Sequence, residues 1–283
     1  MISKDTKITI IGLGLLGGSY AQGLSEAGCQ VTGIDIDPEA IQYAKEQGWI
    51  TEGGPDPELV AGSGIVISAL YPKTFIEWVG KYQHLFTSGT ILTDVTGVKR
   101  NVIREINAIL RPDVEYIAAH PMAGRESQGI HFADCTRFHQ ANYIIVPTAA
   151  NTERAIQTAR DIAEALKFRY IGILTPEEHD NMIGFVSQLS HVIAVSLMNV
   201  TDCTDLVKYT GDSFRDLTRL ASINENLWPE LFLQNQDYLL AEIDAFVKEM
   251  QDFRNLLEAE DVEGMKQKMI TSTIRRKAFD VKP

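Results

Sequence analysis

Basic residues are in short supply in this chain. Lys and Arg number 26 against 38 Asp and Glu, a formal net charge of −12. Such acidity argues against non-specific binding to nucleic acid or to an anionic membrane surface. An anionic substrate would need a local cluster of Arg and His. Cysteine is scarce as well: Cys29, Cys135 and Cys203 lie far apart, with no CxxC and no Cys/His spacing. They read as reduced thiols of a cytoplasmic protein, with no disulfide framework and no metal site. No apolar run reaches the length of a bilayer span. No internal repeat or low-complexity segment is present, and Met1–Asp5 leads at once into the first apolar run, with no room for a signal peptide. What remains is ordinary globular protein: 283 residues, 45% hydrophobic and 23% charged, enough for one or two domains.

The most informative stretch is Ile8–Ser19. A short β-branched strand runs into Gly12-x-Gly14-x-x-Gly17 and then into a helix. Gly12 permits the tight turn, Gly14 lets the backbone approach a pyrophosphate, and Gly17 lets helix and strand pack closely. The helix start then offers N–H groups and a positive dipole end to phosphates. A glycine pattern alone is weak, but here a second strand, Gln30–Ile34, ends in Asp35. Twenty-three residues separate Gly12 from Asp35, close to the ~20 expected for an acid that binds a ribose 2′-hydroxyl. An acid there repels a 2′-phosphate, so NAD is favoured over NADP.

Strands and helices alternate through the first half. Strands are expected at 7–11, 30–35, 65–70, 91–94, 116–119, 143–146 and 169–174. Helices are expected at 15–27, from Asp37-Pro38, near 73–83, near 99–109 and near 152–167. The strands are apolar without alternation, as strands covered on both faces are. This predicts an α/β fold with a Rossmann-type, doubly wound parallel sheet. From Pro176 on, only helical periodicity appears. Leu239, Leu240, Ile243, Phe246, Val247, Met250, Phe253, Leu256 and Leu257 form one wide stripe. The expected division is a nucleotide-binding domain over 1–175 and an all-helical domain over 176–283. The stripe points to burial against a second copy, hence a homodimer.

Ligands of open α/β sheets bind beyond the carboxyl ends of the strands. Asp94-Val95-Thr96-Gly97-Val98-Lys99 ends one strand and His120-Pro121-Met122-Ala123-Gly124-Arg125-Glu126 the next. A histidine there is either an acid–base group or a loop residue satisfied by the backbone. Ser187 and His191 stand at i and i+4 and share one helix face. They are site residues if that face meets the crevice, and otherwise His191 is a helix histidine bonded to a carbonyl. Arg215 and Arg219 repeat that spacing. Arg219 is either a bidentate carboxylate clamp or a solvated arginine.

Taken together and in order, these segments closely resemble the prephenate/arogenate dehydrogenase family of tyrosine biosynthesis, over essentially the whole chain. The family's fingerprint matches Gly12–Ser19, its HPxxGxExxG stretch matches His120–Gly129, and its Ser-x-x-x-His helix matches Ser187–His191. Its Phe-[Lys/Arg]-Asp-x-Thr-Arg segment matches Phe214–Arg219, with Trp228 nine residues on. The resemblance implies NAD-dependent oxidative decarboxylation of prephenate to 4-hydroxyphenylpyruvate, or of arogenate to tyrosine. It implies cofactor contacts at Gly12, Leu13, Gly14, Leu15, Leu16, Gly17, Asp35, Ser68 and Leu70. His120 is implied as the catalytic histidine and Arg219 as the carboxylate clamp. Ser187, His191, Arg215, Glu126 and Trp228 are implied as substrate contacts, with Trp228 able to border a site across the dimer. One position departs: many members carry Ser where this chain has Gly97, so Thr96 or a backbone N–H would have to take that part in the catalytic geometry. A carboxylate such as Glu126 near the amino-acid side chain of the substrate would favour arogenate, and cationic or neutral donors prephenate.

Two rivals differ in kind. A β-hydroxyacid or ketopantoate dehydrogenase would place a catalytic lysine on the interdomain helix, where this chain offers Ser187, Gln188 and His191. A catalytically degenerate NAD-binding homologue would draw support from Gly97 alone.

Overall fold

The computed structural model describes Ile2 and residues 6–124, 127–202 and 204–280. Arg125, Glu126 and Cys203 lie outside the described residues.

The first half alternates strand and helix as expected. β1 (Lys7–Ile11), α1 (Leu15–Glu26), β2 (Gln30–Ile34) and α2 (Pro38–Glu46) are followed by β3 (Glu52–Gly54) and β4 (Ile65–Ser68). Then come α3 (Pro72–Tyr82), β5 (Ile91–Asp94), α4 (Arg100–Ile109), β6 (Glu115–Pro121), β7 (Asn142–Val146), α5 (Glu153–Ala165) and β8 (Tyr170–Ile173). Local signals account for the helix starts. Asp37 accepts from Glu39 N ahead of Pro38, and Thr152 accepts from Ala155 N.

Among the described residues the strands form one sheet in the order β3-β2-β1-β4-β5-β6-β7-β8. β3 through β6 are mutually parallel, with Ile11 opposite both Ile34 and Ser68. Two departures from the expected sheet appear. β3 was not foreseen, because Glu-Gly-Gly has no strand-forming residue; it is a short edge piece paired to β2. β7 runs antiparallel to β6, with His120 opposite Ile144. A parallel return needs a crossover element, but among its described residues the segment between β6 and β7 has only short 3-10 turns at Ile130–Phe132 and Cys135–Gln140.

Each face of the sheet carries its own core. Ile8, Ile10, Ile67 and Ile117 pack with Leu24, Ala44 and Ile162 of α1, α2 and α5. Ile11, Val66 and Leu92 pack with Phe75, Val79, Val102 and Ile106 of α3 and α4, and with Leu231 further along the chain. Burial at roughly 25 cal/mol per Å² of apolar surface makes these layers the main stabilising term.

Beyond Ile173 every regular element among the described residues is helical: α6 (Pro176–Ile183), α7 (Ser190–Asn199), α8 (Asp212–Thr218), α9 (Trp228–Gln234), α10 (Gln236–Glu258) and α11 (Val262–Lys277). Thr175 and Glu178 form a capping box at α6. A π-helical turn, Gly184–Leu189, joins α6 to α7. By length and composition Pro176–Asn199 could cross a membrane, which differs from the reading that no run is long enough. Within it, however, His179, Asp180 and Gln188 are buried and bonded to the rest of the fold, while Phe185, Val186 and Met198 are exposed.

The chain falls into two compact units, 1–235 and 236–283. The first extends past the last strand because Gln188 Nε2 donates to Leu231 O at 2.9 Å, and Asn235 Nδ2 reaches Asp180 O at 2.9 Å and Gln188 Oε1 at 2.8 Å. In the second unit α10 and α11 pack on each other.

Candidate active site

The crevice opens where strand order reverses, between the carboxyl ends of β1 and β4. Gly12 turns there at φ 90°, and a Cβ on it would press on Ala69 O at 3.1 Å. A Cβ on Gly17 would overlap the Gly12 carbonyl, while one on Gly14 would meet nothing within 4 Å. Helix α1 begins on Gly14 with no side-chain cap and no acid in its first turn, so its N–H groups and dipole are left for an anion. The Asp35 carboxylate is held at the rim by Leu13 N at 2.5 Å and Asp37 N at 2.8 Å. The Ser68 hydroxyl is buried with no hydrogen-bond partner among the described residues. Leu13 points its side chain into the core and offers the crevice only backbone, and Leu70 packs beside Gly12. These residues fit a dinucleotide: bare backbone at the phosphates and an acid at the ribose.

The next strand ends carry the polar constellation. Asp94, at the end of β5, is almost wholly buried and saturated. It accepts from Lys99 Nζ at 2.6 Å, Tyr116 OH at 2.8 Å, Thr96 N at 2.9 Å and Ala119 N at 3.3 Å. The Thr96 hydroxyl also donates to Asp94 and lies 3.0 Å from Val98 O. Thr96 therefore does not replace the missing serine toward His120. Lys99 is fully buried. Burial pulls its ammonium below the ordinary value, against Asp94 and Asp180 pulling upward. Full pairing is what makes such a pair tolerable, since removing one partner of a buried ion pair costs about 3–5 kcal/mol.

His120 stands half-buried at the end of β6. Its Nδ1 lies 2.9 Å from His179 Nε2, and His179 Nδ1 lies 2.8 Å from Asp180 Oδ1. Asp180 also accepts from Lys99 N at 2.8 Å, Arg100 N at 2.9 Å and Arg100 Nε at 3.3 Å. Burial, then the neighbouring His179 and Lys99, push His120 well below the ordinary imidazole value. Burial opposes ionisation of Asp180, but His179 and the backbone N–H groups of Lys99 and Arg100 hold it below the usual carboxylate value. A Cβ on Gly97 would sit 4.0 Å from His120 Nε2 and 3.6 Å from Leu231. Nε2 therefore faces Gly97 and is the imidazole atom that a substrate hydroxyl would meet.

Helix α9 links this point to the second polar group. It carries Leu231 beside Gly97, and Trp228, whose ring lies against His191 with centroids 3.7 Å apart. The contact is made within one chain. His191 Nδ1 bonds the Ser187 carbonyl at 2.9 Å, as one of its two sequence readings has it. The π turn widens the helix at Ser187, a distortion frequent at functional sites. The 3-10 turn that begins at Arg219 packs on α7, and Arg215 is exposed on α8 within 3.8 Å of Asp212. Glu126 lies outside the described residues.

Sequence reasoning missed His179, Asp180 and the part played by Lys99. His179 and His120 are 59 residues apart, and no spacing rule joins them. The one available signal was an adjacent His-Asp pair at the polar start of the helical half, Pro176-Glu177-Glu178-His179-Asp180-Asn181.

Comparison with known proteins identifies the family. The sequence model of the prephenate dehydrogenase nucleotide-binding domain matches residues 20–172, and that of the prephenate dehydrogenase dimerization domain matches 175–271. Prephenate dehydrogenase of Bacillus subtilis strain 168 is 28% identical over 273 residues, covering 93% of this chain and 72% of that protein. Prephenate dehydrogenase of Lactococcus lactis is 30% identical over 256 residues, covering 87% and 70%. The crystal structure of Aquifex aeolicus prephenate dehydrogenase with hydroxyphenyl propionate and NAD+ superposes with a TM-score of 0.90 at 27% identity, covering 98% of this chain and 99% of that one. The chain belongs to the prephenate dehydrogenase family, as an NAD-dependent oxidoreductase built on a Rossmann nucleotide-binding fold.

Proposed function

We propose that this protein oxidatively decarboxylates prephenate to 4-hydroxyphenylpyruvate, with residues 1–175 binding NAD and residues 176–283 supplying substrate contacts and a homodimer interface. The observation that carries this reading is His120 at a strand end beside the crevice, bonded inward through Nδ1, with Nε2 toward the space at Gly97. NAD held along Gly12–Gly17 and Asp35 would supply the acceptor for the hydride on the ring carbon that bears the 4-hydroxyl. His120 Nε2 takes the hydroxyl proton as the ketone forms. The ketone is conjugated to the carbon bearing the carboxylate, so carbon dioxide leaves and the ring electrons collapse onto the oxygen. His120 returns its proton to that oxygen as the phenol forms, and ends the cycle neutral.

Arg219 clamps a substrate carboxylate, with Ser187, His191, Trp228, Arg215 and Glu126 around the ring and side chain. Gly12–Gly17 cradle the pyrophosphate, Asp35 holds the ribose, and Ser68 and Leu70 line the crevice. Gly97 leaves room at the 4-hydroxyl, and Thr96 acts through Asp94 and Lys99. A cytoplasmic location goes with this reading, because the reaction draws on a supply of NAD. NADH formation by the pure protein, offered prephenate and then arogenate, tests the reading. Turnover of prephenate supports it, turnover of arogenate alone reassigns the substrate, and silence with both despite NAD binding overturns it.

A further inference from the structure

The buried pair behind His120 has a chemical consequence. Asp180 accepts three N–H groups, two of them from the start of α4, Lys99 N and Arg100 N, with Arg100 Nε as the third. A carboxylate at a helix N-terminus, bonded this way, is ionised and has no proton to give. His179 Nδ1 must therefore be the donor in its 2.8 Å contact with Asp180. Burial keeps His179 neutral, so its Nε2 can only accept. His120 Nδ1, at 2.9 Å, must then carry the proton, and its lone pair resides on Nε2. No other hydrogen bond orients the His120 ring among the described residues.

We infer that His179 and Asp180 are positioning residues of the reaction, forming with His120 a relay that locks the His120 tautomer with Nε2 as the base. The inference rests on His120 being the base. When Nε2 gains a proton, the Nδ1 proton can pass to His179 Nε2. That leaves His120 neutral with its proton on Nε2 and places an imidazolium against Asp180. The reverse transfer restores the starting state, and no other proton donor or acceptor is consumed. Burial and Lys99 oppose the charge on either ring, but only on His179 does Asp180 stand in contact with it and pull the other way.

The test uses the full chain labelled with ¹⁵N-histidine, with and without NAD, and His120→Asn to assign the resonance. The expected result is a neutral His120 protonated at Nδ1 in the wild type. A His120 protonated at Nε2 overturns the relay whatever the kinetics show. In parallel, His179→Phe should lower kcat about 100-fold or more, in the range of lost acid–base assistance, with NAD affinity unchanged. His179→Gln, which returns an acceptor near the Nε2 position, should recover about tenfold over that variant. A His179→Phe kcat within about threefold of wild type overturns the proposal. If His179→Phe does not fold, the wild-type tautomer and the His179→Gln rate decide. A fully active His120→Asn instead removes the base assignment, and is told apart because the tautomer is read independently of rate.

Discussion

His120 must be neutral to accept a proton, and its surroundings keep it so. Burial, His179 and Lys99 lower its affinity for protons below the ordinary 6.5. Activity should then hold through pH 6.5 and fall only in more acid solution, as a kcat profile would show; an acid limb centred above 6.5 would contradict the geometry. The same shift links to stability. Below 6.5 the unfolded chain binds a proton that the folded imidazole refuses, so stability is lost as pH falls from 6.5 toward the folded value. Position 97 permits a second expectation. The space at Gly97 admits a Cβ at ordinary contact distance from Leu231 and His120. Gly97→Ser should fold with an unchanged Tm and place a hydroxyl near Nε2, leaving kcat/KM equal or higher. A fall of about tenfold or more would show that the glycine itself is needed there.

At the scale of elements, the glycine-rich turn separates folding from cofactor binding. Gly14→Val adds bulk where nothing stands, whereas Gly17→Ala drives a methyl into the Gly12 carbonyl. The first should keep its Tm and lose NAD affinity by at least about tenfold in a titration; the second should lose stability as well, because backbone cannot yield as a side-chain tip can. Equal Tm losses in both would refute the distinction. This turn, the strand ends at Asp94 and His120, and the change to helix after β8 were all readable from β-branched runs, glycine spacing and capping residues. The reversal of β7 was not, because apolar periodicity carries no strand direction. The π turn at Ser187 and the pairing of His179 with His120 were hidden too: Gly184–Leu189 looks like an ordinary helical run, and the pairing joins residues 59 apart on separate elements.

At the scale of the whole molecule, the stripe expected on α10 stays partly uncovered. Leu240, Val247, Met250 and Leu257 are exposed, as are Val262, Met269, Ile270 and Ile274 on α11. Apolar surface of that extent calls for a partner, and a second copy of the chain fits the family's dimerization domain. Light scattering should give twice the 31.5 kDa chain mass, and Val247→Asp with Met250→Asp should shift it toward the monomer. A monomeric wild type at micromolar concentration would contradict this. The account as a whole stands on His120 as the base of an NAD-dependent dehydrogenase, and its most direct test is kcat for His120→Asn beside wild type, with NAD affinity measured on both. The account predicts a loss of about 100- to 10,000-fold in kcat with unchanged NAD binding; a variant that turns over prephenate at nearly the wild-type rate would contradict it.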